Sequence, residues 1–371
     1  MNKKITVILL MLIMSVVMIG CTTDYEEYEG IEISSNPEVV ELLSDLELSE
    51  TENITVCSCT DSIMTISVGD SIKTMKEGPA YDTNYLILYD YENDNLIKRY
   101  DFNCDEYICS AVPYKEGIVY ATYEWIENED YPLEWEIAYT DGKQTTTLDK
   151  GECYGFEKEP LLKTIDGEVI FSYEDGSGDQ YECGIKTIVD NSVKPIIEET
   201  GCYLNDIYFR TNGKEYVIFV SKGEDETGTL IIGDMNGKIS EHIVPGKITD
   251  YSINAEYAIC GIGNDDENNC SVFFINLKTL NTEEVTTGVM LYRIGEGTSN
   301  YFMAINGNVN TKDLNVTEWQ MCLIDPNEEV DVIKEIERPE EINAEETSYV
   351  ASTESEIIMK VGNDLYMVRL F

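Results

Sequence analysis

Three short acidic segments contain the residue types that bind hard cations. They read DGSGD at 175–179, EDE at 224–226 and DDENN at 265–269. Ca²⁺ prefers carboxylate and carbonyl oxygens, and loops rich in Asp and Gly supply both. None of the three has the spacing of an EF-hand loop, and polar hairpin loops are the alternative explanation. Ca²⁺ is the one candidate cofactor. The candidate ligands of a weak Ca²⁺ site are Asp175, Asp179, Asp265, Asp266 and Glu267.

Aromatic residues beside carboxylates form a second candidate site. Tyr123, Trp125 and Trp135 lie close in sequence to Glu124 and Glu134. Aromatic faces stack on sugar rings or contact basic side chains, so these three aromatics are the candidate ligand-binding residues. The alternative is that they fill the space between packed sheets.

Catalytic residues are hard to find in this sequence. Nucleophilic catalysis of the Ser-His-Asp or Cys-His kind needs an imidazole, and His242 is the only histidine. Its surroundings, GKISEHIV, are typical of a surface strand. Paired carboxylates could hydrolyse glycosidic bonds, but 72 acidic residues produce such pairs by chance. No catalytic residue is predicted.

The N-terminus carries an export signal. Lys3 and Lys4 precede an apolar run from Ile5 to Gly20, which ends at Cys21. The run is shorter than a bilayer-spanning helix of ~20 residues, and a polar segment follows it. Met18-Ile19-Gly20-Cys21 resembles the lipobox of bacterial lipoproteins, and the alternative is an ordinary signal peptide with an incidental cysteine.

The lipobox resemblance implies that Cys21 becomes the mature N-terminus and carries diacylglycerol. Two or more acyl chains, such as palmitate, hold a protein stably at a bilayer. The expected location is therefore the extracytoplasmic face of the cell membrane, with the lipid bilayer as a partner and no spanning helix.

The acidic composition excludes one class of partner. The formal net charge is -47, which repels nucleic acid and anionic headgroups. Hydrophobic residues make up 43% of the chain, so the charge covers a folded globule. Solubility is one explanation of the charge, and attraction of cations or basic partners is the other.

Ten cysteines remain after Cys21, and they show no CxxC pair or zinc spacing. Cysteine also packs as a small hydrophobic residue, so we expect most of them to be buried thiols. Cys57 and Cys59 are two apart in a predicted strand, which places both on one face and disfavours a bond between them.

The chain divides into a signal peptide (1–20), an acidic tether with a candidate closing segment (21–50) and a β domain (51–371). Asn36 and Pro37 predict the start of a short helix, with Val39, Val40, Leu43 and Leu46 at helical spacing. Beyond residue 50 the pattern changes to short strands separated by Gly, Asn and Asp turns.

A hairpin pattern recurs at intervals of 43 to 50 residues. The hairpins lie at 86–100, 136–148, 184–197, 229–243, 272–285 and 320–333, and a half unit lies at 364–371. Candidate strands between them bring each unit to about four strands, the size of a propeller blade. The pattern predicts an all-β, seven-bladed β-propeller with four-stranded antiparallel blades; eight blades or two β domains are the alternatives.

The last unit ends within its third strand, so an N-terminal segment is expected to complete it. Gly30 to Ser35 and Leu46 to Glu50 are the two candidate segments. By this layout residues 50–371 resemble the WD40-like and TolB-like propellers of bacterial exported proteins. The WD dipeptide is absent, so the resemblance concerns architecture and implies no specific activity.

These observations favour a noncatalytic binding or scaffold module that acts through one propeller face. The partner would be a protein or a glycan. The alternative is a carboxylate-dependent hydrolase acting on envelope or extracellular glycans.

Overall fold

The computed structural model describes residues 37–369 with short gaps. The gaps are 45, 47, 50, 61, 71, 76–77, 103–106, 126–132, 154–158, 177–181, 201–205, 223–227, 237, 245, 264–269, 288–289, 296–300, 310–315, 328–331, 343–346 and 353–355. Cys21 and the predicted signal peptide lie outside the described residues. No helix among the described residues is long and apolar enough to cross a membrane.

The described strands form seven four-stranded antiparallel sheets and one two-stranded ribbon. The first sheet contains β2 (Asn53–Thr60), β3 (Ile63–Gly69), β6 (Tyr85–Asp90) and β7 (Asn95–Asp101), and the ribbon contains β4 (Ile72–Met75) and β5 (Gly78–Tyr81). The second sheet contains β8 (Ile108–Tyr114), β9 (Gly117–Trp125), β10 (Leu133–Thr140) and β11 (Thr145–Cys153). The third contains β12 (Leu162–Ile165), β13 (Glu168–Asp175), β14 (Glu182–Val189) and β15 (Ser192–Thr200).

The remaining sheets follow the same order. The fourth contains β16 (Asp206–Thr211), β17 (Tyr216–Lys222), β18 (Gly228–Asp234) and β19 (Ile239–Ile243). The fifth contains β20 (Lys247–Ile253), β21 (Tyr257–Gly263), β22 (Ser271–Asn276) and β23 (Thr282–Thr286). The sixth contains β24 (Met290–Ile294), β25 (Phe302–Val309), β26 (Val316–Ile324) and β27 (Ile333–Ile336). The seventh contains β28 (Thr347–Ser352), β29 (Glu356–Val361), β30 (Asp364–Arg369) and β1 (Glu38–Leu42).

Six of these sheets are built from strands that follow one another along the chain, and the seventh is composite. Its fourth strand is β1, which pairs antiparallel with β30 from Glu38 opposite Arg369 to Leu42 opposite Leu365. The prediction of a short helix from Asn36 to Leu46 is therefore wrong. The pairing with β30 overrides the helical spacing, and β-branched Val39 and Val40 suit a strand.

An N-terminal segment completes the last sheet, as expected, but β1 is neither of the two segments proposed for it. Leu46 and Leu48 lie in the connection to β2 and pack beside the core, and Gly30 to Ser35 lie outside the described residues. The prediction of an all-β fold with four-stranded antiparallel blades is confirmed, and so are the six predicted hairpins. The eight-bladed alternative is not supported, because the described residues contain no eighth four-stranded sheet.

Hydrophobic clusters fill the spaces between consecutive sheets, and the last sheet packs on the first. Leu365 and Met367 of the seventh sheet share a cluster with Ile54, Met64 and Ile66 of the first. Comparable clusters join every other neighbouring pair of sheets. A single four-stranded sheet cannot bury both faces, so this radial stacking supplies the core of a β-propeller.

A β-bulge separates two neighbouring cysteines. The pairing of β2 with β3 shifts between Val56 and Ser58, so Cys57 is the extra residue. Cys57 packs toward the second sheet and Cys59 toward the seventh, so the prediction that they share a face is wrong. All seven cysteines described with side chains are thiols, and Cys183, Cys260, Cys270 and Cys322 are buried.

The strand order determines which loops lie at each end of the propeller. The links between sheets and the connections from each second to each third strand lie at one end, here called the link end. The hairpin turns that join first to second and third to fourth strands lie at the other, here called the turn end. In the sequence, each of the three acidic segments lies at or just after the end of the second strand of a sheet, and residues 177–179, 224–226 and 265–269 lie outside the described residues.

Candidate functional site: a groove on the second sheet

A groove of about 750 Å³ lies along the second sheet near the link end. Its lining combines aromatic rings, carboxylates and one lysine, Lys150, among the residues that the structure describes. The carboxylates are those of Glu124, Glu134, Glu136, Glu152 and Asp175. The groove therefore has a strong negative charge and apolar contact area in the same place.

Three of these glutamates form a row across neighbouring strands. Glu134 on β10 is paired directly with Glu124 on β9 and with Glu152 on β11. All three residues are exposed. Directly opposed residues have Cβ atoms about 5 Å apart, and like charges there destabilise the sheet. A positively charged ligand would relieve this repulsion.

The next row toward the turn end contains Lys150, the one lysine among the groove residues that the structure describes. Glu136 is paired with Thr122 on one side and Lys150 on the other. Glu136 Oε1 also accepts a hydrogen bond of 2.8 Å from the Thr147 hydroxyl. Glu136 is thus held by neighbours, whereas Glu134 in the outer row is paired with a glutamate on each side.

Two tyrosines line the groove, with Tyr120 in the cluster between the first and second sheets and Tyr107 against the cluster between the second and third. Tyr120 is buried on the same face of the sheet as the glutamate row, and its ring meets that of Phe102 edge to face with centroids 5.1 Å apart. Tyr107 is half-buried, and its pKa is raised by burial and by the nearby Glu159 carboxylate. The Tyr107 phenol therefore stays neutral, and both rings offer apolar contact with a polar tip.

Trp135 and Tyr123 belong to the opposite face of the second sheet and form a wall of the groove at its edge. Both lie in the hydrophobic cluster between the second and third sheets, with Trp135 only 3% exposed. The Trp135 indole N–H donates to the carbonyl oxygen of Glu174 at 2.7 Å. These two residues fill space between sheets, which was the alternative explanation, and they also line the groove.

Gly151 is the reason that Trp135 can lie where it does. A Cβ on Gly151 would lie 2.4 Å from Cζ2 of the indole, closer than atoms approach. Gly151 is paired directly with Trp135 on the neighbouring strand. A residue without a side chain is therefore required at position 151, where the indole packs directly against the strand backbone.

Asp175 ties the second sheet to the third at the link end. Its Oδ1 accepts a 3.0 Å hydrogen bond from the backbone N–H of Glu152, and the N–H of Gly176 donates to the Glu152 carbonyl at 2.8 Å. Asp175 thus has a structural partner and also lines the groove.

The other predicted site residues are placed only in part. Trp125 ends strand β9, where it pairs with Leu133. Asp179, Asp265, Asp266 and Glu267 lie outside the described residues. Within the described part of the chain, no group of three or more His, Cys, Asp or Glu side chains could hold a metal ion. The Ca²⁺ hypothesis therefore stays a prediction.

His242 lies on β19, the outermost strand of the fourth sheet, opposite Leu230 on β18. The ring is half-buried, and burial lowers its pKa. The groove is on the second sheet, so His242 takes no part in it. This placement agrees with a packed strand histidine and offers no imidazole to the groove.

Outside the groove, an ion pair connects the first strands of the fourth and fifth sheets. Asp250 on β20 faces Arg210 on β16, with 3.7 Å between Oδ1 and Nη2. Asp250 Oδ2 also accepts a 2.7 Å hydrogen bond from the N–H of Ile294 on β24. Burial raises the pKa of Asp250, and Arg210 opposes that rise. Because these contacts join three consecutive sheets, we interpret the pair as structural.

Sequence reasoning missed Tyr107, Tyr120, Glu136, Lys150 and Glu152. The available signal was the alternation of polar and apolar residues along β9, β10 and β11, which places every second residue on one face. That alternation does not give the register between strands, so the glutamate row could not be read from it.

The comparisons with known proteins provide no family. No protein-family model and no curated protein matches the sequence. An acylaminoacyl peptidase from Pyrococcus horikoshii is similar in structure over 91% of this chain, with a TM-score of 0.47 and 9% identity. A prolyl endopeptidase structure is similar over 86% of this chain, with a TM-score of 0.49 and 10% identity. The chain spans 59% and 46% of the lengths of these two proteins.

An uncharacterised protein from Listeria monocytogenes EGD-e is a further structural neighbour. It is similar over 78% of this chain and 84% of its own length, with a TM-score of 0.45 and 12% identity. At such identities and TM-scores, no activity, ligand or site residue is transferred to this chain.

Proposed function

We propose that this chain is a noncatalytic binding module that holds a basic segment of a protein partner in the groove of the second sheet. The observation that carries the proposal is the row formed by Glu124, Glu134 and Glu152 on one wall of a 750 Å³ groove. A lysine or arginine side chain would place its charge at this row. Its aliphatic stem would lie on Tyr120, because long cationic side chains bury their stems and contact aromatic faces.

The location of the protein is part of the same proposal. Lys3, Lys4, the apolar run to Gly20 and the terminal Cys21 support export followed by lipid attachment at Cys21. The mature protein would then be anchored on the extracytoplasmic face of the cell membrane. We further propose that its seven sheets act as the blades of one closed ring, with β1 completing the last blade.

Titration of the full chain with a lysine- and arginine-rich peptide tests the binding function. A peptide of equal length rich in Asp and Glu is the control. We expect saturable binding of the basic peptide that weakens as salt is added, since exposed charges are screened. Equal binding of both peptides, or of neither, would contradict the proposal.

A carboxylate-dependent hydrolase acting on glycans is the second candidate. The direct opposition of Glu124 and Glu134 favours it, because glycoside hydrolysis needs two carboxylates that flank one bond. Incubation with panels of envelope and extracellular glycans separates the two functions. Turnover that is lost in the Glu134→Gln variant would establish hydrolysis, and binding without turnover would support the module.

A further inference from the structure

The direction of β1 determines the end at which the N-terminal segment joins the propeller. Glu38, the first residue of β1, pairs with Arg369, the last residue of β30, at the turn end. Leu42 pairs with Leu365 near the opposite end. A chain arriving from residue 21 therefore reaches the body at its turn end.

Arg369 fixes this point of arrival. Its Nη1 lies 3.3 Å from Glu38 Oε2 on β1, and its Nε lies 3.2 Å from Glu356 Oε1 on β29. One guanidinium thus holds the first residue of β1 against the first residue of β29. A tether pulling on β1 would act first on this ion-paired group.

The groove lies toward the opposite end. Glu124 is near the end of β9, Glu134 near the start of β10 and Glu152 near the end of β11. These strand termini border a second-to-third connection and a link between sheets, both at the link end. The glutamate row and the arrival point of the N-terminal segment are therefore at different ends of the molecule.

The exposed lysines of the hairpin turns lie at the turn end. They are Lys115, Lys143, Lys214, Lys238 and Lys278. Carboxylates such as Asp141 share these turns, so the lysines lessen the repulsion from anionic headgroups without reversing it. The exposed carboxylates of Glu124, Glu134 and Glu152 belong to the link end, whereas β1 begins at the turn end.

We propose that the propeller stands with its turn end toward the bilayer, so that the groove points outward to macromolecules of the surrounding medium. This inference rests on the proposed anchor at Cys21 and on the proposed binding role of the groove. The reverse orientation would require the tether to run back along a whole blade. Extending the chain in that way costs conformational entropy, and it would also press the exposed glutamate row against the headgroups.

Fluorescence energy transfer from the protein to the membrane tests the orientation. The lipidated full-length chain is reconstituted into phosphatidylcholine and phosphatidylglycerol vesicles that carry an acceptor dye on lipid headgroups. Donor dyes are placed at the turn end in Lys143→Cys and Lys278→Cys, and at the link end in Ser49→Cys and Glu340→Cys. Burial raises the pKa of Cys57 and of Cys322 to about 12, so these native thiols should label slowly. The unsubstituted protein measures that background.

Strands rise about 3.3 Å per residue, so the two ends of a seven-residue strand lie about 20 Å apart. We expect transfer from both turn-end positions to exceed that from both link-end positions several-fold. Equal transfer from the two ends, or greater transfer from the link end, would overturn the orientation.

Failure of the anchor gives a different result. Protein that does not remain with the vesicles would overturn both the anchor and the orientation. Peptide titration in solution tests the groove separately, so a groove that fails to bind is distinguished from an orientation that is wrong.

Discussion

The backbone N–H of Ile54 donates to the side-chain oxygen of Asn363 at 3.2 Å, although 309 residues separate them in sequence. The Asn363 amide also donates to the Glu52 carbonyl at 2.8 Å, and Lys360 Nζ donates to the Ile54 carbonyl at 2.6 Å. Burial lowers the pKa of Lys360. These contacts join the last sheet to the first beside the cluster to which β1 contributes Leu42.

Leu42→Ala should destabilise the protein through this junction. Leu42 is 3% exposed and packs between the seventh and first sheets, and truncation of such a residue costs about 3 kcal/mol. Urea unfolding measures the change, with the exposed neighbour Glu41→Ala as the control. Equal midpoints for the two variants would show that β1 contributes little to the core.

Gly151→Ala should disturb the groove wall. The added Cβ must displace the Trp135 indole, which strains the packing and weakens the bond to the Glu174 carbonyl, at a cost of about 2 kcal/mol. Near-ultraviolet circular dichroism and thermal unfolding report the displacement. Thr145→Ala, on the same strand but exposed, should leave both signals unchanged. An unaltered aromatic spectrum in Gly151→Ala would contradict the assigned packing.

Asp250→Ala should be more damaging than Asp250→Asn. Alanine removes the acceptor of the Ile294 N–H and separates Arg210 from its buried counter-charge, which costs about 3 kcal/mol. Asparagine keeps an oxygen for the Ile294 N–H and should lose less. Chemical denaturation of both variants measures the difference, and a ranking in which Asn is the worse substitution would refute the structural role.

The half-buried His242 should make stability depend on pH. Burial lowers its pKa in the folded protein below the ordinary value of 6.5, so the unfolded chain takes up the proton first. The contribution of neutral His242 to the free energy of unfolding is fully present above pH 6.5. It is lost as the pH falls through the lower pKa that His242 has in the folded protein. Carboxylates titrate too, so the readout is the melting temperature of His242→Gln minus that of the wild type, at pH 8 and at pH 5.

We expect this difference to become more positive at pH 5, because glutamine cannot take up a proton. A difference that is the same at both pH values would mean that His242 is as well solvated in the folded state as in the unfolded state.

Replacing the glutamate row should raise stability while it lowers binding. The variant Glu124→Gln, Glu134→Gln, Glu152→Gln removes the repulsion between directly opposed carboxylates, so its melting temperature should increase at low salt. A matched variant, Glu92→Gln, Glu241→Gln, Glu283→Gln, changes three exposed glutamates outside the groove. Melting temperatures that rise equally in both variants would attribute the effect to net charge alone.

Local patterning predicted much of the fold. Runs such as LILYDYENDNLIKRY and GIKTIVDNSVKPII alternate β-branched or aromatic residues around Asp and Asn turns, and both form hairpins. In the second of these, Asp190 and Asn191 occupy the two turn positions with φ of 51° and 62°, which suits their side chains. Each hairpin pairs strands that are adjacent in sequence, so the residue pattern within one short segment was enough to predict it.

Features that depend on distant pairing could not be predicted. The spacing of Val39, Val40 and Leu43 is compatible with a helix, and only β30, more than 300 residues away, makes the segment a strand. The bulge at Cys57 is likewise a property of the pairing between β2 and β3. The candidate site also depends on distant pairing. The sequence shows that Glu124 and Glu134 are close to aromatic residues, but only the register of β9 with β10 shows that the two glutamates lie directly opposite each other.

The most direct test is the binding isotherm of the lysine- and arginine-rich peptide, measured by calorimetry for three proteins. They are the wild type, the triple glutamine variant of the groove and the matched triple variant outside it. We predict saturable binding by the wild type and the matched variant, and a loss of at least tenfold in affinity for the groove variant. Equal affinity in all three proteins would show that overall charge attracts the peptide and that the groove is not the binding site.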